Sequence, residues 1–236
     1  MGISEIKISA SMACADFICL ERDIRQLEEA GVCMLHFDVV DGSFADTFIM
    51  GPPIIQSLRP FTKLIFDVHL MIYNPAKFIK QFVEVGSDYI CFHLEACDNP
   101  VEVAEKIKSS GIKAALALCP ETPAEKVKEE LLHLVDMVLV LTVHPGYAGQ
   151  PFISYTLDKI KKLYSLKEKM GLLDLDIAAD GNINPKTIPS VVKAGANVLV
   201  GGSSGLFVKG KSIKECAKAM FDAAYNALEE KKNEGK

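Results

Sequence analysis

Short apolar runs recur along the chain, and each is followed by a stretch in which apolar residues return every three or four positions. The first kind of segment reads as a buried strand and the second as an amphipathic helix. Strands are predicted at residues 6–11, 34–39, 64–70, 89–93, 114–118, 137–143, 175–179 and 197–200. Helices are predicted to begin near Leu20, Pro52, Pro75, Pro100, Ala124, Ser154, Pro185 and Ser212. Asn74 before Pro75 and Asn99 before Pro100 each pair a capping residue with a proline whose missing N–H is not needed in a first turn. Gly31, Gly86, Gly111 and Gly195 close helical patterns, where the chain turns through positive φ.

Strand and helix in strict alternation are the mark of parallel βαβ units. Eight such units close more naturally into a (β/α)8 barrel than into an open doubly wound sheet. A length of 236 residues suits one barrel domain over residues 1–236, with a charged tail at about 229–236 expected to fray. In such a barrel the loops after the strands converge at one face, and the reactive residues are expected there.

Composition narrows the function classes. With 49% apolar and 24% charged residues the chain is an ordinary globular one. A net charge of -5 and lysines interleaved with apolar residues argue against a nucleic-acid surface. No apolar run approaches the roughly 20 residues of a membrane span, so no membrane role is expected. The seven cysteines are odd in number and scattered, without Cys-x-x-Cys spacing or a secretory pattern ahead of them. Free thiols in a cytoplasmic protein are therefore expected, with Cys91 a small core residue.

The chemistry is concentrated at predicted strand ends. His36 and Asp38 are two apart on one strand and so share a face. His69 ends a second strand, and Asp180 follows a third. Any one of these residues alone would pass as a structural polar group. Four together need partners, and a divalent cation is one partner common to all. Mixed imidazole and carboxylate donors suit Zn, Fe(II), Mn or Co better than Ca or Mg. Asp38 and Asp180 could also approach a substrate from opposite faces, one as base and one as acid. Gly201-Gly202-Ser203 and Gly181-Asn182 lie where barrel enzymes hold phosphate on backbone N–H groups, and the loop at 145–151 could close over them. His93 and Glu95 are read as supports, His144 as a residue within reach of substrate, and His133 as a surface residue.

Ordered motifs give these residues a family setting. Ser11, Ala15-Asp16-Phe17, His36-x-Asp38-x-x-Asp41-Gly42, Gly51-Pro52-Pro53, Asp67-Val68-His69-Leu70-Met71, Pro145-Gly146-x-x-Gly149-Gln150, Asp180-Gly181 and Gly202-Ser203 run through residues 8–207. In these motifs the chain resembles the ribulose-phosphate 3-epimerases. The resemblance implies a barrel holding one divalent metal on His36, Asp38, His69 and Asp180. It also implies that Asp38 and Asp180 exchange a proton at carbon 3 of a phosphorylated ketose, interconverting D-ribulose 5-phosphate and D-xylulose 5-phosphate. Ser11, His69 and Met71 would line the substrate site. Gly181, Asn182, Gly202 and Ser203 would contact phosphate, with Gly146, Tyr147, Ala148 and Gly149 nearby. A homo-oligomer is expected by the same resemblance.

Departures from the family pattern fall in the pocket loops. Val40 and Leu141 stand where the family has methionine, thinning a sulfur-rich cover to Met71. The segment 43–47 replaces a His-Phe-Val-Pro-Asn sequence, and Asn182 replaces a glycine. Tyr147-Ala-Gly-Gln-Pro-Phe152 and Ser204-Gly-Leu-Phe207 are more similar to the D-allulose-6-phosphate 3-epimerase branch, which is the alternative function. A phosphate-binding lyase or decarboxylase would call for a lysine near a strand end, and Lys113 is expected at the opposite end of its strand. A non-catalytic sugar-phosphate-binding barrel would have lost a ligand, and none is lost.

Overall fold

In the computed structural model, which describes residues 5–234, nine strands form one sheet closed on itself. They are β1 (Lys7–Ser11), β2 (Met34–Asp41), β3 (Phe48–Ile49), β4 (Ile65–Met71), β5 (Tyr89–His93), β6 (Lys113–Leu118), β7 (Met137–Leu141), β8 (Asp176–Asp180) and β9 (Val198–Gly201). Their order is β1-β9-β8-β7-β6-β5-β4-β2-β3, and β1 also pairs with β2, which closes eight parallel strands into a barrel. Outside lie α1 (Leu20–Glu29), α2 (Pro52–Leu58), α3 (Ile79–Glu84), α4 (Pro100–Ser109), α5 (Glu129–Leu134), α6 (Thr156–Met170), α7 (Ile188–Ala194) and α8 (Ile213–Glu234). The predicted (β/α)8 barrel is the observed fold.

Alternation along the strands divides the core in two. Leu35, Phe37 and Val39 of β2 and Phe66, Val68 and Leu70 of β4 point outward and pack with the helices in one large cluster. The Phe37 and Phe66 rings lie 4.8 Å apart there. Met34, Cys91, Ala115, Leu139 and Ala178 belong to a smaller cluster that fills the barrel interior. Cys91 is fully buried among them, as expected of a small apolar residue.

The N-terminal mouth of the barrel is closed by polar pairs. Lys7 donates to Asp176 at 2.6 Å, Asn197 donates to the other Asp176 oxygen at 2.7 Å, and Lys113 donates to the Tyr89 hydroxyl at 3.1 Å. Lys113 opens β6 and so lies at the end away from the predicted site. The opposite mouth carries the candidate chemistry.

Several local expectations change. The two-residue strand β3, antiparallel to β2, has no counterpart in the predicted list. Too short to show a period, it is held by the pairings Val40↔Ile49 and Asp41↔Phe48. The chain turns back to it at Gly42 (φ 80°), where the Asp41 carboxylate accepts from the Ser43 N–H at 2.9 Å. The helices expected from Pro75 and Ala124 begin as 3-10 turns, Pro75–Lys77 and Ala124–Lys126, ahead of α3 and α5. The strand expected to reach residue 143 ends at Leu141, after which the Thr142 N–H makes the last ladder bond, to the Asp180 carbonyl at 2.7 Å. The charged segment expected to fray is helical as far as Glu234, and residues 235–236 of that expectation lie outside the described ones.

Candidate active site

Strand register assembles the site. β1 aligns Ser11 with His36, and β2 and β4 align Asp38 with His69. Asp180 is the last residue of β8, level with Leu141 and Val200. All four predicted metal ligands therefore meet at the C-terminal mouth, one donor atom of each within 4.8 Å of the others. His36 Nε2 is 3.2 Å from His69 Nδ1, 3.3 Å from Asp38 Oδ1 and 3.6 Å from Asp180 Oδ2, and His69 Nδ1 is 3.4 Å from the same Asp38 oxygen. Donors about 2.0–2.1 Å from a shared ion in a tetrahedral arrangement stand about 3.3–3.4 Å apart. The donor set and its spacing fit a divalent cation of the zinc or first-row transition-metal kind.

The ring nitrogens turned away from this point are also engaged. His36 Nδ1 donates to Asp67 Oδ2 at 2.7 Å, since a carboxylate can only accept. With a cation bound at this point, that arrangement would leave Nε2 as the lone pair that ligates it. His69 Nε2 meets His93 Nε2 at 2.8 Å, and His93 Nδ1 faces Glu95 Oε2 at 3.2 Å. His93 and Glu95 thus form a chain of contacts leading away from His69. Burial pulls the His93 imidazole down to about 4, so it is neutral near pH 7. Burial raises Glu95, but hydrogen bonds from His93 and Thr122 outweigh it and hold the carboxyl at about 2.

Negative charge is in excess where the four residues meet. Burial lowers the proton affinity of His36, yet Asp38 and Asp67 overcome it and carry the imidazole well above the usual histidine range. Burial acts to raise Asp38, but His36 and hydrogen bonds from both imidazoles take it below the usual carboxylate range. Asp180 moves the other way. Burial pushes it up and, together with the charges of Asp38 and Asp67, outweighs the opposing charge of His36. Two carboxyl groups driven apart in this way can hold one proton between them, one ready to accept and one to donate.

Above this floor opens a cavity of about 370 Å³. Ser11, Met71, Gly146, Tyr147, Ala148, Gly149, Gly181, Asn182, Gly202 and Ser203 all line it, together with Asp38 and Asp180. His69 and His36 lie beneath it, fully buried. Ser11 donates to Asp38 Oδ2 at 3.0 Å, orienting that carboxylate. His144 also lines the cavity, and its Nδ1 meets Glu121 Oε1 at 2.9 Å on the exposed rim. Cys14, Phe17, Phe48, Ile49, Met50 and Ser204 line it as well and were not predicted, and Thr47 lines it from the segment read as a pocket loop. Met50 corrects the expectation that Met71 is the only remaining sulfur of the cover, and Cys14 adds a thiol. The Gly51-Pro52 step that follows Met50 was the available sequence signal for a bend there.

Asn182 has φ 53°, a left-handed conformation that asparagine tolerates better than most residues, so the substitution for glycine leaves the turn intact. Its side-chain amide donates to the Gln150 carbonyl at 2.9 Å and ties the loop after β8 to the loop after β7. Tyr147 Oη donates to the Asp46 carbonyl at 2.6 Å across the cavity mouth. The segment that departs most from the family pattern is therefore latched to the loop that would cover substrate.

A model of the ribulose-phosphate 3 epimerase family matches residues 7–207. The chain belongs to that family. A ribulose-phosphate 3-epimerase of Methanocaldococcus jannaschii is 43% identical over 223 residues, covering 94% of this chain and 93% of the relative. Another, from Bacillus subtilis, is 40% identical over 212 residues, covering 89% of this chain and 97% of the relative. Family membership makes the protein an epimerase, an enzyme of the isomerase class. Among solved structures, a 3-hexulose-6-phosphate synthase superposes with a TM-score of 0.68 at 14% identity, covering 92% of this chain and 99% of that one. That likeness speaks for the barrel alone. Among the described residues no helix is long and apolar enough to cross a membrane.

Proposed function

We propose that this epimerase interconverts D-ribulose 5-phosphate and D-xylulose 5-phosphate by moving a proton at carbon 3, with Asp38 and Asp180 as the acid–base pair. The observation that carries the reading is the meeting of His36, Asp38, His69 and Asp180 at the floor of a cavity in a chain of this family. Epimerisation requires that a proton leave carbon 3 on one face and return on the other. Asp38 on β2 and Asp180 on β8 reach the cavity from separate strands, with β1 and β9 between them in the sheet. Asp38, held ionised and oriented by Ser11, takes the proton, and Asp180, pushed toward its neutral form, delivers one to the opposite face. In the reverse direction the roles exchange.

His36, Asp38, His69 and Asp180 would hold one divalent ion, which supplies positive charge for the substrate oxygens as the carbon loses its proton. Asp67 and His93 keep the two imidazoles in the tautomers that face it. Gly181, Asn182, Gly202 and Ser203 lie together on the cavity wall, where backbone N–H groups can take the phosphate and fix the distance of the reacting carbon. The seven free thiols favour a reducing, cytoplasmic setting.

Steady-state kinetics on D-ribulose 5-phosphate, D-allulose 6-phosphate and unphosphorylated D-ribulose, on one preparation of known metal content, test the assignment. The pentose phosphate is expected to give the highest kcat/KM, with the free sugar lower by about 100-fold or more. A higher kcat/KM on the hexose phosphate would move the enzyme to the allulose branch. A free sugar as good as its phosphate would remove the role given to the loops after β8 and β9.

A further inference from the structure

The contact between His69 and His93 has room for one proton only. Their Nε2 atoms are 2.8 Å apart, so one nitrogen donates and the other accepts. On the reading given above, His69 ligates through Nδ1, so its own proton sits on Nε2 and points at His93. His93 must then accept on Nε2 and carry its proton on Nδ1, toward Glu95 Oε2 at 3.2 Å. The other oxygen of Glu95, Oε1, accepts the backbone N–H of Cys119 at 2.9 Å. A carboxylate, which accepts on both sides, satisfies the whole chain.

We infer that Glu95, acting through His93, is a positioning residue that fixes the tautomer of His69 and thereby the metal affinity of the site. Neither residue touches the proposed ion. His93, Glu95 and Cys119 also bring a nitrogen, an oxygen and a sulfur together, as a second cation site would. A second ion on His93 Nδ1 would put the His93 proton on Nε2, against the Nε2 proton of His69. The proton count makes that trio a support for the first site.

Exchange of one atom in Glu95 separates this role from ordinary packing. In Glu95→Gln the amide oxygen stays with the Cys119 N–H, which can only donate. The amide NH2 then faces His93 Nδ1 and forces the proton onto His93 Nε2. His69 Nε2 must accept it, so the neutral ring carries its hydrogen on Nδ1, where the ion would bind. Glu95→Ala leaves His93 Nδ1 facing the Cys119 sulfur at 3.6 Å, a weak partner that imposes no reversal. Gln, the closer match in shape, should therefore do more harm than Ala.

Zinc affinity measured by chelator competition, with ¹⁵N NMR of the histidine rings in metal-free protein, reads this directly. Glu95→Gln is expected to bind zinc about 10- to 100-fold more weakly than wild type, Glu95→Ala is expected to fall between them, and the His93 proton should move from Nδ1 to Nε2 in the Gln variant alone. Melting temperatures of the metal-free proteins monitor folding, which a packing role would change without this order of affinities. Equal zinc affinity in wild type and Glu95→Gln would overturn the inference and leave the metal assignment standing. Wild type that binds no zinc, cobalt, manganese or iron(II) would overturn both.

Discussion

Asp180 is the residue on which the proposed chemistry depends most directly. It closes β8, lines the cavity, and is pushed toward its neutral form by burial and by the charge of Asp38. Asp180→Asn keeps the shape and removes the transferable proton, so turnover should fall by about 100- to 10,000-fold while the far-UV spectrum is unchanged. Wild-type turnover in that variant would assign the proton to another group. Glu95 gives a test by pH. Its folded-state value of about 2 lies below its ordinary 4.5, so the stability it contributes is complete above pH 4.5 and is lost as pH falls through 2. With its side chain one-quarter exposed, solvent screening limits that contribution to roughly 1–2 kcal/mol. Denaturant unfolding of metal-free protein should show a shallower loss between pH 4.5 and 2 in Glu95→Ala than in wild type. At this scale the four clustered residues were legible because strand alternation puts positions 36 and 38 on one face. Met50 and Cys14 were not, because their approach to the cavity depends on loop paths that no period encodes.

Among the elements, the turn at the end of β8 has the least room for change. Gly181 has φ 117°, and a Cβ there would lie 2.6 Å from Val143 Cγ2 and 2.8 Å from the Val143 backbone nitrogen. Thr142 meanwhile donates its N–H to the Asp180 carbonyl at 2.7 Å and its hydroxyl to the Gly181 carbonyl at 2.5 Å. Gly181→Ala must displace the very backbone that carries Asp180, costing about 1–3 kcal/mol of stability. Activity should fall by on the order of 10- to 100-fold through misplacement of the carboxylate. Thermal unfolding and kcat together check this, and a variant normal in both would mean that the turn is not held as described. Seen from the sequence, the eight barrel strands were clear and β3 was invisible. A two-residue strand has no periodicity to display, and β3 exists only because β2 extends past the barrel rim to pair with it. The 3-10 turns ahead of α3 and α5 were missed for a related reason. Pro75 marks where a helical turn starts but does not fix which hydrogen-bond pattern continues it.

For the molecule as a whole, closure of the barrel does two things that a list of motifs could not convey. It brings β8 and β9 round to β1, so that Asp180 stands near Asp38 although the two are far apart in sequence. It also places the loops after β2, β7, β8 and β9 around one cavity, joined by the Tyr147–Asp46 and Asn182–Gln150 hydrogen bonds. Closure was an inference from the count of units, and the pairing of β1 with both β2 and β9 establishes it. The central claim is that a cation held at the floor of this cavity makes proton exchange at carbon 3 possible. It is tested most directly by assaying D-ribulose 5-phosphate epimerisation before chelation, after chelation to a metal-free state verified by elemental analysis, and after metal is restored. Turnover should fall by more than about 100-fold on removal and return with zinc, cobalt, manganese or iron(II). Undiminished turnover in protein shown to be metal-free would contradict it.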